Sequence, residues 1–125
     1  MQKKSALVLF AHGARDPRWA QPFLKMQAIA SERLPQTVVE LAFLELMEPR
    51  LPAVVQRLAG EGCTQVSVVP VFLGQGGHVL RDLPPMIEEL RAAHPDLQLS
   101  VADAVGESPA VLEAIANYCV GSLQA

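Results

Sequence analysis

The chain has 125 residues, 50% of them hydrophobic and 18% charged, with a formal net charge of −3. That is the size of one ordinary domain, burying roughly two thirds of its unfolded surface without help from disulfides, so a single domain is expected over residues 1–125. The acidic balance excludes a duplex nucleic-acid binder, which needs a basic stripe to neutralise phosphates, and equally a polybasic membrane surface.

The apolar pattern changes period repeatedly along the chain. Leu7-Val8-Leu9-Phe10 is a short continuous run ending at Ala11-His12-Gly13, the pattern of a fully buried strand followed by a turn. Trp19, Phe23, Met26 and Ala30 then recur at helical spacing from Arg18 to Leu34, and Pro35 closes that helix. Val38–Leu44 is a second buried run with Glu40 as its interior charge. Glu48-Pro49 opens the next helix, because proline fits a first turn where its missing N–H costs nothing. Leu51, Val54, Val55 and Leu58 mark its apolar face, and Gly60 and Gly62 end it.

Val66–Phe72 is the third strand, leading through Leu73 into Gly74-Gln75-Gly76-Gly77-His78. A helix entered through Pro84-Pro85 follows, with Leu83, Met86, Ile87 and Leu90 along one face. Leu97–Val101 is a weaker fourth strand. Ser108-Pro109 is an N-cap with a first-turn proline, and Leu112, Ile115, Ala116 and Cys119 line the last helix. Strands alternating with helices require parallel βαβ units with right-handed crossovers. The expected fold is α/β: three layers, a four-stranded parallel sheet in the order 2-1-3-4 and helices on both faces, a flavodoxin-like half unit.

Cys63 and Cys119 lie far apart with no zinc-type spacing, so both are expected as small buried residues in a reducing compartment. No apolar run approaches the roughly 20 residues of a membrane span, and Ser5–Ala11 is too short for a signal segment. A cytoplasmic protein without a membrane partner is expected.

Open parallel sheets bind ligands beyond the carboxyl ends of their strands, where the strand order reverses. In the order 2-1-3-4 that point lies between strands one and three. His12 follows strand one, Glu45 follows strand two, and His78 follows the glycine loop after strand three. Neighbouring strands are about 4.8 Å apart, so the three side chains are expected within roughly 10 Å of one another. Two imidazoles and a carboxylate suit a borderline divalent metal such as cobalt, iron or nickel, and they also accept protons near neutral pH. Arg15, Arg18 and Arg81 lie near the same strand ends and can pair with ligand carboxylates. Gly76 and Gly77 let the backbone approach a ligand closely. No Lys-Ser/Thr follows these glycines, so they form no P-loop. His94, at a helix C-terminus, reads as a favourable cation position rather than a ligand.

The motifs Leu9-Phe10-Ala11-His12-Gly13-Ala14-Arg15-Asp16-Pro17-Arg18, Ala42-Phe43-Leu44-Glu45 with Pro49-Arg50-Leu51, and Val69-Pro70-Val71-Phe72-Leu73 with Gly77-His78 and Asp82-Leu83-Pro84 keep a common order and spacing. Together they resemble the small CbiX-type sirohydrochlorin chelatases across nearly the whole chain. The resemblance implies ATP-independent insertion of a divalent metal, Co²⁺ first and Fe²⁺ or Ni²⁺ as alternatives, into sirohydrochlorin for cobalamin or sirohaem. It implies that His12 and His78 handle the metal, that Glu45 is the active-site acid, and that no cofactor is tightly bound. Larger relatives carry two such units around one cleft, so the resemblance also implies a homodimer. Many relatives read His-Gly-Ser where this chain has His12-Gly13-Ala14, which removes any ligand hydrogen bond from that hydroxyl. The alternatives are a non-catalytic metal carrier or tetrapyrrole-binding module, which would bind metal without needing a tetrapyrrole, and a phosphate-transfer or hydrolytic enzyme using His12 near Arg15.

Overall fold

The structure, a computed structural model, describes residues 4–74 and 77–124, with the side chains at 77–80 and 124 outside that description. The four buried runs form one parallel sheet of β1 (Lys4–Ala11), β2 (Val38–Phe43), β3 (Cys63–Pro70) and β4 (Gln98–Val101). The order is β2-β1-β3-β4, as the alternation of periods requires. β1 is central, and Val8, Phe10 and Ala11 are completely buried. Leu9 pairs with Leu41 on one side and Val69 on the other. Pro70 can end β3 because β4 pairs no further than Val101 with Val68, and Val71 already donates to the Phe10 carbonyl at 2.8 Å.

Helices α1 (Gln21–Arg33), α2 (Leu51–Gly60), α3 (Gly77–Ala93) and α4 (Pro109–Gly121) alternate with the strands. One face of the sheet packs Val8, Phe10, Val66 and Val68 against Leu51, Val54, Val55 and Leu58 of α2 and Ile87 and Leu90 of α3. Each such side chain, fully buried, stabilises the fold by about 1.5–3 kcal/mol. The opposite face packs Leu9, Ala11, Leu41 and Phe43 against Ala20, Trp19 and Phe23, the last of these on α1. Glu40, the charge inside β2, reaches Arg57 of α2 at 2.9 Å. Among the described residues no helix is long and apolar enough to cross a membrane.

Four local expectations need correction. The first helix does not run as α-helix from Arg18: a 3-10 turn, Pro17–Ala20, precedes α1. Pro22 explains this, since it has no N–H to give Arg18. The Gln21 amide bonds the Arg18 carbonyl instead, and Pro22 sits in the first turn of α1. Pro49 likewise does not open α2. Phe43 donates to the Pro49 carbonyl at 2.9 Å and Phe43 bridges Arg50, which keeps that segment extended. Helix α2 therefore begins at Leu51 with Pro52 in its first turn.

The third helix starts at Gly77, so Pro84 and Pro85 lie inside it, and their packing-side neighbours Ile87 and Leu90 hold a ladder short of two amide protons. The fourth correction concerns α4. Its cap is as expected, with the Ser108 side chain accepting from the Val111 amide, but Leu112, Ile115 and Cys119 are exposed. Cys63 alone of the two thiols is buried, and that burial pushes its pKa up.

Candidate active site

The parallel pairing of β1 and β2 continues past the last residue of either strand. Leu44 donates to the Ala11 carbonyl at 2.9 Å, and Glu45 donates to the His12 carbonyl at 3.1 Å. This backbone zipper leaves His12 and Glu45 side by side on the rim. The His12 Nε2 and Glu45 Oε1 are 3.8 Å apart, with side chains 45% and 38% exposed. Two groups that can exchange protons or share a cation therefore face solvent at the carboxyl end of the sheet.

Gly13 makes this closeness possible. Its φ of +101° suits a residue without Cβ, and a Cβ there would overlap the Glu45 carbonyl oxygen. The turn after Glu45 carries a second special conformation, Leu46 at φ 67°.

Phe72 supports the imidazole from below. Its ring meets His12 edge-on at 5.9 Å between centroids, and meets Phe10 edge-on at 5.8 Å. The loop after β4 holds Phe72 in turn, because Gly106 donates to the Phe72 carbonyl at 2.9 Å and has no room for a Cβ against the Leu73 carbonyl. Sequence reasoning counted Phe72 as the last residue of a strand and missed this role. The available signal was an aromatic two residues past Pro70 at the same sheet end as His12.

The remaining candidates are placed as follows. His78 is the second residue of α3, at the helix start beyond the carboxyl end of β3, and its side chain lies outside the described residues. Gly77 begins α3, and Gly76 lies outside the described residues. Arg81 sits in the second turn of α3 and Arg15 in the loop after β1, both exposed. Arg18 gives its fork to Asp16, with Nη2 at 2.7 Å from Oδ2 and Nε at 3.1 Å from both carboxylate oxygens. The Arg18 side-chain hydrogen bonds, then its amide, hold the Asp16 carboxyl below its ordinary range. Among the described residues no three His, Cys, Asp or Glu side chains gather closely enough to hold a metal. The described part of the site is the His12–Glu45 pair.

The family model for CbiX matches residues 6–119. The sirohydrochlorin cobaltochelatase of Methanocaldococcus jannaschii is 35% identical over 89 residues, which are 71% of this chain and 62% of that relative. The chain thus aligns with less than two thirds of that curated relative's length. Among solved structures, a putative cobalamin (vitamin B12) biosynthesis CbiX protein from Marinobacter aquaeolei VT8 superposes with a TM-score of 0.84 at 35% identity, covering 96% of this chain and 98% of its own. The sirohydrochlorin chelatase SirB from Bacillus subtilis subspecies spizizenii, solved in complex with cobalt, gives 0.78 at 25% identity, covering 91% of this chain and 49% of that one. With the family pattern running over residues 6–119 and nearly the whole backbone following a relative of its own size, the chain belongs to the CbiX family.

Proposed function

We propose that the chain inserts a divalent metal, Co²⁺ in the first place and Fe²⁺ or Ni²⁺ as alternatives, into a sirohydrochlorin-type tetrapyrrole without ATP. The observation that carries this reading is the His12–Glu45 pair, 3.8 Å apart and open to solvent at the sheet's ligand-binding end. Insertion asks two things of a protein. A hydrated metal must be held weakly enough to be released, and two pyrrole protons must leave as it enters. Neutral imidazole nitrogen binds such a metal without the permanence of a closed thiolate cage. A carboxylate beside it accepts protons.

In this reading His12 and His78 hold the incoming metal, which is substrate rather than resident cofactor, and Glu45, helped by a histidine, takes the two pyrrole protons in turn and passes each to solvent. Phe72 keeps the His12 ring upright. Arg15 and Arg81, and Arg18 once drawn from Asp16, pair with the carboxylates of the macrocycle, while the Gly76 and Gly77 amides approach its edge. One compact unit covers a flat macrocycle on one face only. Two copies therefore build the cleft as a homodimer, within one domain per chain. The names and contents of the relatives support the same chemistry, a cobaltochelatase in one case and a cobalt complex in another. We place the protein in the cytoplasm, where thiols such as Cys63 and Cys119 stay reduced.

The test is to mix the protein with sirohydrochlorin and Co²⁺ and follow the visible absorption as metal enters the ring. Glu45→Gln is expected to slow insertion by about 10²-fold or more, as loss of a general base does, and His12→Ala with His78→Ala to slow it further. A double histidine variant that inserts metal at the unmodified rate would end this assignment.

A further inference from the structure

A bulky residue in left-handed backbone stands directly beside the reacting pair. Leu46 follows Glu45 and has φ 67°, where a side chain's Cβ crowds its own backbone and where glycine sits without strain. The chain does use glycine for such backbone on the same rim, at Gly13. Packing does not account for leucine at 46. Its side chain is 49% exposed and belongs to neither core, whereas the next residue, Met47, packs against the α1 side of the sheet.

The turn that carries Leu46 is fixed at both ends. Glu45 donates to the His12 carbonyl at 3.1 Å, Phe43 donates to the Pro49 carbonyl at 2.9 Å, and Phe43 bridges Arg50. These distant bonds, and no contact of its own in the core, hold Leu46 in its conformation. A residue strained in this way and placed at a ligand-binding rim points to a role outside the fold.

A second leucine matches it. Among the described residues, the large apolar side chains that face solvent lie on α1 and its C-cap, on α4 and the turn after it, and at only two further positions, Leu46 and Leu73. Leu46 is the third residue past β2 and Leu73 the third past β3. The central strand β1, which leads into His12, runs between them. Leu73 is 62% exposed, and its backbone is also fixed: Gly106 lies so close to the Leu73 carbonyl that a Cβ has no room. Strands β2 and β3 are two spacings apart, about 10 Å, which is about the width of a tetrapyrrole ring. The rim thus has an apolar residue on each flank and a proton-accepting pair in the middle.

We propose that Leu46 is a substrate-positioning residue: its side chain lies against the face of the tetrapyrrole, with Leu73 on the opposite flank, and seats the ring centre over His12 and Glu45. A tetrapyrrole has apolar faces, nitrogens at its centre and acids at its edge. Apolar flanks around a polar pair match that layout. An alkyl side chain binds no metal and accepts no proton, so it adds contact without competing with the pair. Leucine stands at 46 because the side chain is needed on the substrate. This role rests on the chelatase reading of the site and deepens it, by naming what holds the ring there.

Leu46→Gly and Leu46→Asn both suit left-handed backbone and remove the apolar side chain; Leu46→Met keeps it. Melting temperature, Co²⁺ insertion kinetics and metal-free binding of sirohydrochlorin, followed by absorption, are measured for each. The glycine and asparagine variants are expected to melt no lower than about 2 °C below the unmodified chain. They are expected to raise KM for sirohydrochlorin, and to weaken its metal-free binding, by about 10-fold, with kcat within about 3-fold. Leu46→Met should keep KM within about 3-fold, and Leu73→Asn should raise it by about 10-fold. Glycine and asparagine variants that keep the unmodified KM would overturn this role and leave the chelatase reading standing. Variants that melt well below the unmodified chain would show that leucine serves the fold, with the same consequence. A KM rise that vanishes at higher protein concentration, with a loss of dimer mass in sedimentation, would assign Leu46 to contact between copies and overturn the role likewise. An unmodified protein that neither binds sirohydrochlorin nor inserts metal would end the chelatase reading itself.

Discussion

Two glycines provide a controlled test of how the His12–Glu45 pair is held. Gly13 and Gly62 share a left-handed φ, +101° and +94°. A Cβ at Gly62 meets nothing within 4 Å, whereas one at Gly13 overlaps the Glu45 carbonyl oxygen. Alanine at Gly62 therefore carries only the left-handed backbone strain, of order 1–3 kcal/mol, partly offset by about 0.4–1 kcal/mol from the stiffer unfolded chain. A net loss of about 1 kcal/mol lowers the melting temperature by about 3–5 °C in a domain of this size.

Alanine at Gly13 carries the same strain and must also push the Glu45 backbone away. That movement breaks the 3.1 Å bond from the Glu45 amide to the His12 carbonyl, worth about 0.5–1.5 kcal/mol when intact and more if a partner is left unsatisfied. The expected loss is about 3–4 kcal/mol. Urea denaturation measures both variants, and metal insertion into sirohydrochlorin reads the geometry. Gly62→Ala should insert metal at the unmodified rate per folded molecule, and Gly13→Ala at least about 10-fold more slowly, since small misplacements at a reacting pair are costly. Equal stability losses for the two variants, or full insertion by Gly13→Ala, would refute this account of the rim.

Phe72→Ala should cost about 3–5 kcal/mol, the range for a buried aromatic, and should slow insertion beyond the loss of folded protein because His12 loses its support. Leu58→Ala, also buried but near the C-terminal end of α2 rather than beside His12, should cost about 2–5 kcal/mol and leave insertion per folded molecule unchanged; identical insertion by the two variants would remove Phe72 from the site. Asp16 gives a pH signature. Its carboxyl titrates lower in the folded chain than in the unfolded one because of Arg18, so its contribution to stability is present above the ordinary carboxylate range. It is lost as pH falls through the lowered value. An NMR titration should place Asp16 below an ordinary aspartate, and Arg18→Ala should return it there; no change on that substitution would be the contrary result.

The sheet was legible in the residues because strands packed into a core leave short, strongly apolar stretches. Val8 and Phe10 sit in a continuous apolar run, and Leu41, Val66 and Val68 in short apolar stretches broken by Glu40 and Ser67; helical spacing between those stretches calls for parallel strands. His12 and Glu45 could be placed at the same rim once the order 2-1-3-4 was assumed, because both follow neighbouring strands directly. Helix beginnings were less legible. Pro22, Pro49 and Pro84 are each compatible with a first turn locally, and only bonds to distant residues, such as Phe43 to Pro49, choose among them.

The fate of α4 lay wholly beyond periodicity. Spacing shows that Leu112, Ile115 and Cys119 share a face, and says nothing about what that face meets. The same holds for Phe72 and Gly13: each owes its role to an atom far away in the chain, the His12 ring for one and the Glu45 carbonyl for the other. Patterns of two and 3.6 residues report the local backbone and which side is apolar. Contacts between segments separated by 30 or more residues depend on how the layers close over one another, and that is decided only in three dimensions.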